Sequence, residues 1–503
     1  MLFVSTRGQA GKVSSAHAIK NGLAADGGLF VPQSFPELSL DEILSMHTLP
    51  YDQSAVRILG LFLTDYTVSE LAESAALAYS PEKFGADPAP LRRVAENTDV
   101  LELWHGPTMA FKDIALQILP HLMTRAQAKT GADTRIVILA ATSGDTGKAA
   151  LEGFADVPGT EIVVFYPDDG VSQIQKLQMI TQKGKNTRVF GIKGNFDDAQ
   201  RGVKEIFSNT ELEKEIGEYG WVFSSANSIN WGRLAPQITY YFKAYADAVA
   251  NNRISPGEKV IFSVPTGNFG DILAGYYAKK MGLPVERFIC ASNSNNVLTD
   301  FINTGLYNKV RTLNKTISPS MDILVSSNLE RLLFDLADKD AEQVSEWMNQ
   351  LNGEGIYKVP RELVEKVQDT FFAAWVDEEE TIETIGKVYN DHEYILDPHT
   401  AVAWRAAIKY RLLTSDNRYI IVLSTASPYK FCSSVLKGMG RAEGLEESNP
   451  FDAVRRLSEN TGMPVPKQVT ALAEAPVLHK EVIDADKMAL NIKNALGIPV
   501  ENF

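Results

Sequence analysis

Cysteine is almost missing from this 503-residue sequence: only Cys290 and Cys432 occur. Two thiols cannot build a disulfide framework or a multi-cysteine zinc site, and no metal is expected. Both read as small buried hydrophobes. Long apolar runs are missing as well. No stretch approaches the roughly 18 uncharged apolar residues that cross a bilayer, and the opening MLFVSTRGQAGK lacks the basic-then-apolar order of a secretory signal. These absences point to a reducing cytoplasm. Positive charge is also short: 49 Lys and Arg against 63 Asp and Glu leave a net −14. Such a chain lacks the broad positive field that non-specific nucleic-acid binding needs, although a local site for a small anion stays open.

What is present is ordinary globular material, 45% apolar and 22% charged, long enough for roughly three packed units. The first hundred residues read as loops and amphipathic helices, such as LDEILSMHTL and VSELAESAALAY. From residue 135 short apolar runs alternate with helix-length segments: RIVILAA (135–141), EIVVFY (161–166), TRVFGI (187–192) and KVIFSV (259–264), then RFICAS (287–292) and RYIIVLS (418–424). Buried strands separated by helices predict parallel βαβ units and an α/β fold. Residues 326–390, rich in Glu, Leu, Lys and Asp at helical spacing, predict a helical insertion.

Ligands in such sheets bind where loops leave the carboxyl ends of strands. Three turns there carry polar or glycine-rich sequence. TSGDTGKAA (142–150) follows RIVILAA; Gly144 and Gly147 allow a tight turn, while Ser143, Asp145 and Thr146 can cap the next helix. It is no nucleotide P-loop, because Thr142 stands where a glycine belongs and Ala149 where magnesium needs a hydroxyl. VPTGNFGD (264–271) can cradle a phosphate with successive amides. STASPYKF (424–431) places Ser424 and Thr425 at a strand end, where a hydroxyl can face a ring nitrogen. Upstream, Lys112 sits among Met109, Ala110, Phe111 and Ile114 in LWHGPTMAFKDIALQ. Desolvation lowers a lysine's pKa and suits it to imine chemistry. Taken singly, each has an ordinary reading: a capped turn, a turn hydroxyl, a snorkelling lysine. Together they describe a pyridoxal-phosphate site.

At that point the chain resembles threonine synthase, a family of fold-type II (tryptophan synthase β-like) pyridoxal-phosphate enzymes. The resemblance rests on STRG (5–8), GLAADGGLFVP (22–32), HGPTMAFKD, SGDTG, SANSINWGR (225–233), PTGNFGD, PSMDILVSSNLERLLF (319–334), DPHTAV (397–402) and STASPYKF. It implies an N-terminal domain over 1–96 and two α/β sheet domains. Segment 97–260 would carry Lys112 and SGDTG, and segment 261–503 the cofactor-phosphate loop and the insertion at about 326–390. It implies conversion of O-phospho-L-homoserine and water to L-threonine and phosphate. Lys112 becomes the Schiff-base lysine, Gly267, Asn268, Phe269, Gly270 and Asp271 the cofactor-phosphate loop, and Thr425 the partner of the pyridine nitrogen. Ser143, Gly144, Asp145, Thr146 and Gly147 match the substrate-carboxylate loop, and Asn227, Ser228 and Arg233 the substrate-phosphate site. Ser427 stands where the family often has His. Asp397 and His399 are expected to order a helix start. A phospholyase or a serine/threonine dehydratase releasing 2-oxobutyrate is the alternative activity. A monomer is expected, with a dimer as the alternative.

Overall fold

A computed structural model of the chain describes residues 1–499 except 132, 133, 143, 169, 170, 172 and 446–448, and omits the side chains of 196 and 197. The larger sheet runs Phe371–Trp375, Val285–Ser292, Val260–Pro265, Ile420–Ser424, Thr98–Glu102 and Leu91–Ala95 in spatial order. All neighbours are parallel except the last pair. The smaller sheet is wholly parallel, in the order Val482–Ile483, Thr187–Ile192, Thr160–Pro167, Arg135–Ala141 and Trp221–Ser224. Every residue of Val260–Pro265 and of Thr160–Pro167 is buried, as strands covered by helices on both faces require.

All six apolar runs expected as strands form them. Arg135–Ala141 and Thr187–Ile192 have the bounds expected, and the others differ by one or two residues at either end. The N-terminal region adds to its helices a three-stranded antiparallel sheet of Val13–Ser14, Leu2–Ser5 and Phe30–Pro32. Sheet membership crosses the segment boundaries expected from sequence. Thr98–Glu102 joins the larger sheet, and Val482–Ile483, near the other end of the chain, edges the smaller one. The block 326–390 is not purely helical either. Between the helices Arg361–Thr370 and Glu378–His392 it holds Phe371–Trp375, an edge strand of the larger sheet. The sequence FFAAW is too short to register against the helical periodicity on both sides, yet its Phe371, Ala373 and Ala374 are buried.

The helix Trp231–Ala250 lies at the centre of the molecule, buried at every residue from Trp231 to Ala248. It packs against Gly270–Lys280, Tyr51–Phe62 and Lys112–Leu116. It thus touches the N-terminal helices and the helix Gly270–Lys280 alike. The N-terminal region makes a further contact across the chain. Glu330 accepts from Thr6 Oγ1 at 2.6 Å and pairs with Arg7 through Nε at 3.1 Å and Nη2 at 3.0 Å. STRG and NLERLLF are thus two halves of one buried contact.

Candidate functional site

Lys112 opens the helix Lys112–Leu116 and is 8% exposed. Three backbone bonds stitch its loop to the strand-end loop at 424–427: Leu103 N donates to Ser424 O, Phe111 N to Thr425 O and Ser427 N to Met109 O, at 2.9–3.1 Å. Asp113 fixes the same loop from inside, accepting from Thr108 N at 2.8 Å and Thr108 Oγ1 at 2.7 Å. Burial pulls the Lys112 amine down to about 8; Asp145 works against that shift, while Arg233 and Lys430 reinforce it. The sequence-based expectation of a desolvated amine is met.

Ser424 and Thr425 divide their work. The Ser424 hydroxyl bonds Trp104 Nε1 and Thr400 Oγ1, each at 3.0 Å. The Thr425 hydroxyl makes no side-chain bond among the described residues, although the residue is buried. Only Thr425 is left to face a ligand. Ser427 is buried and accepts from Tyr429 N at 3.3 Å, next to the Phe111 N–Thr425 O bond.

The loop 267–271 has the geometry of an anion cradle. Phe269 adopts φ +62° just before the helix Gly270–Lys280, and no bond from the amides of Gly267, Asn268, Phe269, Gly270 and Asp271 is made among the described residues. A Cβ on Gly267 would stand 2.8 Å from Ser320 O. Segment 326–328 clamps the loop from behind: Ser326 Oγ donates to Gly267 O, and Asn328 N and Nδ2 both donate to Asn268 O. Asp271 turns away from the cradle. Tyr240 and Tyr241 hydroxyls donate to its Oδ1 at 2.5 and 2.8 Å, Oδ2 has no partner, and burial raises its carboxyl to about 6. A carboxyl held by phenols inside the first turn weakens the repulsion that a phosphate would otherwise meet there.

In the SGDTG turn, Ser143 lies outside the described residues. Gly144 sits at φ +148°, and a Cβ there would collide with Gln175. The Gly144 and Gly147 amides already donate to Thr142 Oγ1, each at 3.0 Å. The glycines therefore shape the turn, and among the described residues the amides of Asp145 and Thr146 are the ones without such a bond. The Asp145 side chain does not point to an anion. Its Oδ1 is 2.6 Å from Lys430 Nζ and its Oδ2 3.9 Å from Lys112 Nζ. Burial opposes its ionisation, but Lys430 and Lys112 together hold the carboxyl well below the usual range.

Arg233 is buried in the first turn of the central helix. Its Nη1 donates to Ala226 O at 2.7 Å, and no carboxylate pairs with it among the described residues. Burial lowers its guanidinium to about 10. Asn227 is exposed and Ser228 half-buried in the turn that leads into the helix, which Asn230 caps by accepting from Gly232 N at 2.8 Å.

Asp397 and His399 order the start of Pro398–Thr414 as expected: Asp397 accepts from His399 N at 2.9 Å and Thr400 N at 3.3 Å. His399 does more. Its Nδ1 faces Asp397 Oδ1 at 2.8 Å, and its Nε2 accepts from Ser320 N at 3.2 Å. Ser320 Oγ in turn accepts from Lys112 Nζ at 3.4 Å and donates to Asp145 Oδ2 at 3.4 Å. Ser320 and Lys430 are site residues that the sequence reading did not single out, although both lie in motifs it quotes. A lysine two residues beyond a proline and a serine after one carry no local signal of what they meet 79 to 322 positions away.

Comparison with known proteins gives matches over most of the chain. A family model described as threonine synthase N terminus matches residues 2–79, and one described as pyridoxal-phosphate dependent enzyme matches residues 90–360. The chain is 43% identical over 444 residues to threonine synthase-like 1 of Macaca fascicularis, a match covering 86% of this chain and 59% of that protein's length. It is 42% identical over 447 residues to threonine synthase of Pseudomonas aeruginosa, covering 88% of this chain and 92% of the other. The crystal structure of PLP-bound threonine synthase from Brucella melitensis superposes with a TM-score of 0.87 at 34% identity, covering 98% of this chain and 99% of that one.

Proposed function

Since the chain belongs to the threonine synthase family of pyridoxal-phosphate-dependent enzymes, we propose that it converts O-phospho-L-homoserine and water to L-threonine and phosphate. The carrying observation is Arg233: a buried guanidinium with one protein acceptor, no carboxylate partner among the described residues, and a charge felt by Lys112. A fork of donors that the protein leaves largely uncommitted is suited to a doubly charged phosphate.

The residues present fit the cofactor. The open amides of 267–271 would hold its phosphate, the Thr425 hydroxyl its ring nitrogen, and the Lys112 amine its aldehyde carbon. Bound there, pyridoxal phosphate supplies an electron sink for charge developing on the substrate carbons. The protein's part is placement and proton handling. Lys112 Nζ, low in proton affinity because it is buried, would take protons from the substrate's Cα and Cβ and return them at Cγ and Cα. Arg233, with Asn227 and Ser228 on the adjoining turn, would hold the phosphate before and after its release from Cγ. The Asp145 and Thr146 amides at the start of Asp145–Phe154 would take the substrate carboxylate. A neutral hydroxyl at Thr425 leaves the ring nitrogen unprotonated, so these contacts, more than the cofactor, would decide where water adds.

A small-molecule substrate, action as a monomer and a cytoplasmic setting belong to the same proposal. No helix among the described residues is long and apolar enough to cross a membrane, and both cysteines are free and buried. The test is to incubate the purified chain with O-phospho-L-homoserine and identify the products by chromatography. Equimolar threonine and phosphate are expected. 2-Oxobutyrate in place of threonine would replace the synthase reading with a phospholyase, and no phosphate release would overturn both.

A further inference from the structure

The reaction proposed above gives no task to Lys430, yet it is the most enclosed lysine at the site. Its side chain is fully buried, 2.6 Å from Asp145 Oδ1, and it also donates to Thr108 O at 3.0 Å. A buried ammonium is costly unless paired, and here it shares its one carboxylate with Lys112. Lys430 holds the nearer oxygen; Lys112 reaches the other only at 3.9 Å, with Ser320 Oγ bonded to both. Coulomb attraction falls with distance, so the nearer ammonium takes the larger share of one negative charge.

The remaining charged groups around Lys112 do not change this division. Asp113 is occupied by Thr108, and Asp271 by Tyr240 and Tyr241. Arg233 is a like charge. His399 reaches Lys112 only through the Ser320 backbone, and its ring proton faces Asp397. Asp145 is the one carboxylate within ion-pair distance of Lys112 among the described residues.

We propose that Lys430 is a positioning residue which engages Asp145 through Oδ1 and thereby leaves Lys112 without a committed counter-ion. Without Lys430, Asp145 would pair with Lys112 alone and a neighbouring positive charge would vanish. Both changes favour the Lys112 ammonium, so its titration moves upward. The inference rests on Lys112 being the cofactor-linking amine, but its sign does not depend on which reaction follows.

The experiment measures Lys112 directly. The full-length chain, freed of cofactor, is labelled with trace acetic anhydride across pH, and the Lys112 peptide is quantified by mass spectrometry. Lys430→Met should raise the labelling midpoint by about one pH unit or more, Asp145→Asn should lower it, and Lys430→Arg should leave it near that of the unsubstituted protein. The holoenzyme kcat/KM profile of Lys430→Met should shift to alkaline pH, with activity recovering as pH rises. An unmoved or lowered midpoint in Lys430→Met overturns the proposal. Should that variant not fold, as judged by near-UV circular dichroism, Asp145→Asn decides: a midpoint that is not lowered is equally fatal. Failure to form threonine would count against the reaction alone and leave the labelling comparison standing.

Discussion

Arg233 and Arg331 are both buried, and neither has a carboxylate bonded to its guanidinium among the described residues, yet they sit in different regions. Arg331, on the helix Leu329–Leu336, spends its donors on three protein acceptors: Phe30 O at 3.0 Å, Asn328 Oδ1 at 2.5 Å and Ile229 O at 2.6 Å. It joins the N-terminal sheet, the clamp behind the cofactor loop and the turn before the central helix. Arg233 gives one bond to Ala226 O and, among the described residues, keeps its remaining N–H groups. Burial lowers both guanidinium groups to about 10, so desolvation does not tell them apart. The count of satisfied donors does. A buried cation whose donors are consumed is suited to holding the fold; one whose donors are kept open is suited to an anion.

Substitutions separate the two regions further. The largest effect belongs to the amine both regions surround: Lys112→Ala should cut phosphate release from O-phospho-L-homoserine by about 10³-fold or more, read in a steady-state phosphate assay. Next comes the arginine contrast. Arg233→Lys should lower kcat/KM by roughly 10²-fold, since a point charge cannot reproduce the donor fork, with no change in the denaturant midpoint. Arg331→Lys should instead lower the unfolding free energy by about 2–3 kcal/mol, because two carbonyls and an amide oxygen lose partners. If kinetics and stability respond the other way round, the assignment of the two regions is reversed. A smaller effect is expected at the loop Arg331 supports. Gly267→Ala sets a methyl against Ser320 O and should weaken cofactor retention about tenfold, measured by dialysis. The smallest is at the cysteines, whose thiols burial pushes up to about 12. Neither should react with iodoacetamide at pH 8 until the chain is unfolded.

The parts of the fold legible in sequence were those with local signals. Six apolar runs with turn residues after them became six strands, and the turns after three of them lie at the candidate site. Thr98–Glu102 was not legible, although it is an interior strand of the larger sheet. It carries two carboxylates that become tolerable only when tertiary partners arrive: Asp99 meets Arg253 at 2.7 Å, and Glu102 meets Tyr394 and His105 at 2.8 Å. The site followed the same rule. Glycines and the lysine announce themselves in short motifs, whereas the Lys430–Asp145–Ser320 contacts and the Arg331 clamp join distant segments and have no spacing to read. SGDTG shows how a loop assignment leaves the side chain open: the resemblance implies a substrate-carboxylate loop there, and in the fold the Asp145 carboxylate faces two lysines, so only its backbone amide is available to an anion.

Everything said of the two regions assumes that Lys112 is the amine they are arranged around. Borohydride reduction of the holoenzyme, followed by proteolysis and peptide mass spectrometry, tests that assumption directly. A pyridoxyl mass on the peptide containing Lys112, and absent from Lys430, is the predicted result. The label on Lys430, on another lysine, or on none would contradict the account.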